Sequence, residues 1–149
     1  MKTTWLVVLA FVVAGCGASA DDHAPQIEFL NMPGANPDLP FSDAVRVDKL
    51  LFLSGVIGNK PGTLELVDGG IQAETRQIME TIKGRVEAFG SSMDKVVKCS
   101  VFMADMSEWG AMNEVYRSYF DRPPARSALG ASGLALGAAV EIECIAVVG

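Results

Sequence analysis

The sequence has very few of the side chains that most often carry catalysis or bind metals. Among its 149 residues there is one histidine, His23, and there are three cysteines, Cys16, Cys99 and Cys144. No Cys-x-x-Cys motif and no Cys/His cluster occurs, so a zinc site has no ligands to build from. Because His23 lies close to the N-terminus, a Ser-His or Cys-His couple within the folded domain is also excluded. Any chemistry must use arginine, lysine, carboxylate, tyrosine, hydroxyl or backbone groups, and we expect no metal and no other cofactor.

Basic residues are also in the minority, with 12 lysines and arginines against 18 aspartates and glutamates and a net charge of −6. A surface of this sign is repelled by phosphate backbones and by anionic lipids. We therefore expect no nucleic-acid partner, and no attachment of the domain to a membrane by its charge. The length is sufficient for one domain with its own core and too short for two.

The N-terminal hydrophobic run is too short to span a bilayer. It covers residues 5–13, follows the positive Lys2, and is well below the roughly 20 residues that a transmembrane helix needs. Small residues then lead directly to Cys16, a pattern that resembles the lipobox of bacterial lipoproteins. An ordinary signal peptide, cut after Ala18 or Ala20 so that Cys16 is discarded, is the alternative.

The residues around Cys16 also predict a location. Residues 1–15 are predicted to be a signal peptide, and residues 16–26 a tether that begins at the lipidated cysteine. Gly17 and Ala18, rather than an aspartate, follow Cys16, which by resemblance to Gram-negative lipoproteins favours the outer membrane. We expect an exported protein on the periplasmic side that contacts a membrane only through its lipid.

Hydrophobic periodicity predicts one α+β domain over residues 27–149, with two helices packed on one face of a mixed sheet. Strands are predicted at residues 27–32, 44–47, 50–54, 96–103, 125–129 and 139–148. The first helix covers residues 71–89, with its charged side chains, Glu74 among them, off the apolar face. The second opens at Asp105 in a sequence that resembles a capping box, and we expect its apolar stripe to lie in the core: Trp109, Met112, Tyr116 and Phe120.

The two cysteines of the domain leave two readings open. Cys99 and Cys144 could form a disulfide in an oxidising periplasm. Each lies inside a strand-like run, however, and we favour two unpaired cysteines that act as small buried apolar side chains.

Eight short segments, in order along the chain, resemble the RidA (YjgF) family of imine and enamine deaminases. They are residues 40–46, 53–55, 72–77, 96–98, 101–106, 112–116, 123–127 and 140–146. The most specific pair is Pro-Ala-Arg-Ser around Arg126 and the Glu-Ile-Glu that begins at Glu141, fifteen residues after the arginine. Strand alternation puts Glu143 on the same face as Glu141.

The resemblance implies a chorismate-mutase-like fold, a homotrimer with a cleft between each pair of subunits, and hydrolysis of small 2-imino acids to 2-keto acids and ammonia. Arg126 matches the family arginine that would clamp the carboxylate, which suits the fork geometry of a guanidinium. Glu141 matches the family glutamate that would activate water. Ser54, Gly55 and Asn113 match residues that line the cleft.

Two departures from the family pattern bear on the substrate. Phe41 stands where many deaminating members have tyrosine, and Ala128 replaces a frequent cysteine two residues after the arginine. Both changes make the expected pocket more apolar. They leave a second reading open, in which the trimer binds small carboxylates without turnover or acts as a chaperone-like module tethered to a membrane.

Overall fold

The computed structural model describes residues 24–149, so the predicted signal peptide, Cys16 and most of the tether lie outside the described residues. The strands are β1 Ile27–Leu30, β2 Ala44–Val47, β3 Leu50–Leu53, β4 Val56–Ile57, β5 Val96–Met103, β6 Ala125–Gly130 and β7 Val140–Val147. The helices are α1 Gly70–Ala88 and α2 Trp109–Tyr116. Within this part of the chain, neither helix is long and apolar enough to cross a membrane.

The strands form one mixed sheet in the order β1-β2-β3-β7-β5-β6. All neighbours pair antiparallel except β5 and β6, which are parallel because α2 connects them. The strands predicted at residues 44–47 and 50–54 pair as a hairpin around Asp48, whose φ of 50° lies in the left-handed region that a tight turn uses. The sequence did not predict β4, a short strand that continues beside β7 after a break at Ser54 and Gly55.

Both helices pack on one face of the sheet, which confirms the predicted α+β architecture. On β7 the buried side chains alternate with half-buried or exposed ones, and those facing the helices are Val140, Ile142, Cys144 and Ala146. The predicted apolar face of α1 meets them with Ile71, Ile78, Ile82 and Val86. The opposite face of the sheet has no helix within residues 24–149 and exposes the large apolar side chains Phe29, Leu50, Phe52 and Leu129.

Helix α1 ends in a motif that fixes its last turn. Gly90 adopts a φ of 84°, its amide donates to the carbonyl of Glu87, and the next amide, from Ser91, donates to the carbonyl of Val86 at 2.7 Å. This pair of bonds is the Schellman arrangement, in which glycine takes the left-handed position. This left-handed glycine directly follows Phe89, the last residue of the predicted helix.

The preference for unpaired cysteines is wrong. Cys99 on β5 lies directly opposite Cys144 on β7, with their Cα atoms 4.1 Å apart, and a disulfide joins them. Both side chains are buried in the core, at 1% and 2% exposure. Periodicity identified each strand but does not say which strands are neighbours or in what register, so it could not show that the two cysteines face each other.

Two further predictions are wrong: the burial of Trp109 at the start of α2, and the placement of Glu74 on the polar face of α1. The side chain of Asp105 accepts a hydrogen bond from the amide of Ser107 and begins a short 3₁₀ turn, so that the α-helix starts only at Trp109. As a result Trp109 is 45% exposed rather than part of the core, whereas Met112, Tyr116 and Phe120 are buried as expected. Glu74 is buried although it was assigned to the polar face, because its carboxylate accepts the amide of Ala139 at 2.9 Å and so holds the start of β7.

Candidate active site

Arg126 lies on the outer strand β6, on the face of the sheet that carries the helices. It pairs in register with the buried Cys99, and its guanidinium carbon lies 4.8 Å from the ring centre of Tyr116 and 5.8 Å from that of Trp109. Its Nη1 donates to Oδ1 of Asn113 at 2.6 Å. Stacking on aromatic faces and this one hydrogen bond hold the planar group in place and leave further N–H donors for a ligand.

The Arg126 guanidinium lines a cleft of about 520 Å³. The walls come from the start of α2 and from the chain that precedes β6: Trp109, Gly110, Asn113, Tyr116, Arg117, Pro123 and Pro124. None of the ion pairs within residues 24–149 involves Arg126. A half-buried arginine with a preset orientation and no carboxylate partner in the described chain is suited to binding a small anion, above all a carboxylate.

Tyr116 forms the floor beneath the guanidinium. Its hydroxyl is buried and has no hydrogen-bond partner among the described residues, while its ring packs on Phe120 at 5.1 Å between centres. Burial raises the pKa of Tyr116 to about 12, and the positive charge of Arg126 opposes that rise. The hydroxyl is therefore neutral at physiological pH. Periodicity predicted a core role for Tyr116 and gave no sign of its contact with Arg126.

Glu141 belongs to a second group of predicted residues, at the break between β3 and β4. It pairs with Ile57 and Phe102 on the two neighbouring strands, and its carboxylate lies against the backbone of Gly55. A Cβ at Gly55 would come within 2.0 Å of Oε1 of Glu141. The absence of a side chain at Gly55 lets the carboxylate approach the backbone in this position.

Ser54 and Phe41 lie in the same group. The Ser54 hydroxyl donates to the carbonyl of Ser42 at 2.6 Å, which commits its proton and leaves its oxygen able to accept. Phe41 is 54% exposed and borders two cavities, of about 530 and 560 Å³, one of which also borders Ser54 and the other Gly55. The Phe41 ring thus forms an apolar wall at the position where many family members have a tyrosine hydroxyl.

A buried ion pair supports this second group, and the sequence did not indicate it. Asp43 pairs with Arg85 of α1, and its carboxylate also accepts the amide of Met32 at 2.8 Å. Burial lowers the pKa of Arg85, and the charge and hydrogen bond of Asp43 oppose that effect. Asp43 directly follows Ser42 and its carbonyl accepts the amide of Ser54, so the pair fixes the backbone on which Ser54 depends. Asp43 occurs within the segment that resembles the family, but nothing in the sequence pointed to Arg85 as its partner.

The predicted residues therefore form two groups rather than one. Arg126 and Asn113 are together on the helix side, and Ala128, half-buried against the core, shares their face of β6. Glu141 lies on the opposite face, since it follows the buried Val140 and pairs with Phe102, which points away from the core. One copy of the chain does not bring the arginine and the glutamate together.

The fold and these two groups define a class of α+β protein with a mixed sheet, two helices on one face and an arginine-lined cleft at the outer strand. A family model described as endoribonuclease L-PSP matches residues 33–148. The chain belongs to this family, which is the RidA (YjgF) family.

Named relatives agree with this assignment. The chain is 40% identical over 111 residues to the 2-iminobutanoate/2-iminopropanoate deaminase of Mus musculus, covering 74% of this chain and 82% of the mouse protein. Among solved structures, RidA from an Antarctic Psychrobacter is 37% identical with a TM-score of 0.71, over 76% of this chain and 92% of that one. Yeast Mmf1 is 31% identical with a TM-score of 0.77, over 83% of this chain and all of the yeast chain.

Proposed function

We propose that the protein hydrolyses small 2-imino acids, or their enamine tautomers, to 2-keto acids and ammonia, in clefts between the subunits of a homotrimer. Arg126 binds the substrate carboxylate and Glu141 activates the attacking water. The mouse relative named as a 2-iminobutanoate/2-iminopropanoate deaminase supports the reaction class. No metal or cofactor is required, because the substrate itself contains the electrophilic carbon.

The observation that carries the proposal is the environment of Arg126. Its guanidinium is held by Asn113 and by two aromatic rings at the wall of an open cleft, with no carboxylate partner in the described chain. Orienting a cation in this way reduces the entropy lost when a carboxylate binds. Asn113 and Tyr116 therefore act as positioning residues for the clamp.

Hydrolysis of the imine also requires a group that can accept a proton and then donate it. Water adds to C2 of the iminium, and Glu141 accepts the proton as the C–O bond forms. Return of that proton to the nitrogen gives a better leaving group. The C–N bond then breaks as Glu141 takes the proton of the hydroxyl group, whose oxygen becomes the keto oxygen. Ammonia departs and takes up that proton as ammonium, so that one water is consumed for each nitrogen released.

The separation of Arg126 from Glu141 supports the assembly. The two side chains lie on opposite faces of the sheet in one chain, so both can reach one substrate only if a second copy supplies one of them. The exposed apolar side chains on the helix-free face, including Phe29 and Phe52, offer a surface that a second copy could cover. In a closed ring of three copies, the Arg126 side of each copy would contact the Glu141 side of the next.

The direct test measures ammonia and 2-keto acid release from imino acids generated in situ by an amino-acid oxidase. We expect the purified protein to accelerate release, Arg126→Ala to abolish the acceleration, and Glu141→Gln to lower kcat by about 100-fold, within the usual range for a general acid–base group. Arg76→Ala, which removes an exposed arginine outside both groups, serves as the matched control and should retain full activity.

Two outcomes would favour other functions. Calorimetric binding of 2-keto acids without turnover would support the carboxylate-binding reading. Cleavage of RNA that is lost in Arg126→Ala would support the activity in the description of the family model. Equal release by the wild-type protein and Arg126→Ala would contradict the deaminase proposal.

We also propose that Cys16 is lipidated and tethers the domain on the periplasmic side of a membrane. The small residues before Cys16 support this, and so does the Cys99–Cys144 disulfide, because disulfides persist in oxidising compartments. Labelling with radioactive palmitate should mark the expressed protein and not Cys16→Ser. Labelling of both, or of neither, would contradict the proposal.

A further inference from the structure

Trp109 is the largest side chain on the wall of the Arg126 cleft, where its indole also stacks on the Arg126 guanidinium. It is the first residue of α2, it follows the 3₁₀ turn that begins after Asp105, and it is 45% exposed. The same apolar stripe buries Met112 completely one turn later. The indole therefore lies partly exposed on the wall of the cleft to which the proposed function assigns the substrate carboxylate.

The geometry points to Trp109 as a specificity-determining residue of the Arg126 cleft, where its indole stacks on the side chain of the bound imino acid and favours aromatic substrates. This inference rests on the proposed function and adds the substrate class to it. The indole ring centre lies 5.8 Å from the guanidinium carbon of Arg126. In a 2-imino acid the carboxylate is bonded to the carbon that carries the side chain, so a substrate held at Arg126 places its side chain close to the indole.

The other walls of the cleft leave space for a planar group. Gly110 lies next to Trp109 on the cleft, and a Cβ built at that position meets no atom within 4 Å. Pro123 and Pro124 supply an apolar wall, while the charged residues of the lining are Arg117 and Arg126. The cleft on one copy has a volume of about 520 Å³, which leaves room for a group larger than a two- or three-carbon side chain beside the surface that a second copy supplies. These features suit a flat apolar ring better than a methyl or ethyl group.

The expected size of the effect follows from aromatic stacking. A pair of aromatic rings contributes about 0.5–1.5 kcal/mol beyond simple burial. That corresponds to a discrimination of about 2- to 10-fold in kcat/KM between an aromatic and a short aliphatic substrate. Loss of the cation–π contact with Arg126 in a Trp109 variant would weaken both substrates alike, so the ratio of the two values isolates the stacking.

The experiment compares imino acids generated from phenylalanine and from alanine, with wild-type protein, Trp109→Ala and Trp109→Phe. Trp109→Ala should lower the phenylalanine-to-alanine ratio of kcat/KM by about 2- to 10-fold, and Trp109→Phe should preserve most of it. Gly110→Leu, at a position where an added Cβ meets no atom within 4 Å, narrows the space beside the indole and should lower turnover of the phenylalanine product more than that of the alanine product. Size-exclusion chromatography checks that each variant keeps the assembly of the wild type.

A ratio that is unchanged in Trp109→Ala would overturn the inference while leaving the deaminase proposal intact. If no turnover is found at all, the deaminase proposal fails, and calorimetric binding of phenylpyruvate and pyruvate then decides the role of Trp109. A preference for phenylpyruvate that is lost in Trp109→Ala supports the inference. Equal binding of the two keto acids, or no binding of either, overturns it.

Discussion

Arg126 and Glu141 differ in what surrounds them, and the difference fits the work proposed for each. Arg126 is stacked on Tyr116 and bonded to Asn113, which suits a group that must hold a fixed orientation. Glu141 lies against the bare backbone of Gly55, which suits a carboxylate that must reach a water beside a substrate. The roles of single residues could be predicted only by resemblance, because an arginine on a strand and a glutamate on a strand are usually solvent-exposed charges.

Gly55→Ala tests the position of Glu141. The new Cβ would lie within 2.0 Å of Oε1, so the flexible end of the glutamate must move. We expect deaminase kcat to fall by about 10-fold or more, while the free energy of unfolding changes by less than about 1 kcal/mol. Gly133→Ala, at a position with no atom within 4 Å of the added carbon, is the matched control. Wild-type activity in Gly55→Ala would show that the position of Glu141 does not matter.

Tyr116→Phe tests the buried hydroxyl. Because the hydroxyl has no partner in the described chain, its removal should not lower stability near pH 7. The pKa of Tyr116 is raised to about 12 in the folded protein, above its ordinary value of 10.0, so the unfolded chain loses the proton first. This tyrosine therefore destabilises the fold as the pH rises from about 10 to about 12.

Urea denaturation at pH 7 and pH 11 measures this effect. The variant should be at least as stable as the wild type at pH 7 and more stable than the wild type at pH 11. A clear loss of stability at pH 7 would mean that the hydroxyl has a partner, in a second copy or in an ordered water.

At the scale of elements, the sequence predicted where most strands and helices lie along the chain, but not which elements contact each other. The alternation over residues 96–103 predicts a strand with the bounds that β5 has, and the apolar face predicted for α1 is buried, although Glu74 is buried as well. The start of α2 was missed because a 3₁₀ turn and an α-helix both begin with an acidic cap. The disulfide and the Asp43–Arg85 pair each join elements that are far apart in the sequence. Hydrophobic periodicity does not show which elements become neighbours or in what register, so the sequence predicted neither contact.

The disulfide between β5 and β7 provides the test at this scale. It closes a loop with a sequence separation of 45 in the middle of the sheet, and such a link contributes about 2–4 kcal/mol. The double variant Cys99→Ala/Cys144→Ala should lose about that much free energy of unfolding in urea. Dithiothreitol in the denaturation should lower the stability of the wild type and leave the double variant unchanged. Equal stability of the wild type with and without the reductant would show that the bond does not form.

At the scale of the whole molecule, the sheet divides the proposed active site into two halves that face opposite ways. In the proposed mechanism each chain supplies one carboxylate clamp, Arg126, and one water-activating group, Glu141, on opposite faces of the sheet. A homotrimer would combine the clamp of one copy with the glutamate of the next in three equivalent clefts. This arrangement explains why neither half, taken alone, is a complete site, and it makes assembly a condition for catalysis.

Mixing two inactive variants measures this claim most directly. Arg126→Ala keeps Glu141, and Glu141→Gln keeps Arg126, so co-refolded trimers contain some clefts with both wild-type groups if adjacent subunits share a site. With equal amounts and random assembly, about one quarter of the clefts are complete, and the mixture should recover about one quarter of the wild-type deaminase activity. A mixture as inactive as its two components, in trimers shown to contain both chains, would contradict the account.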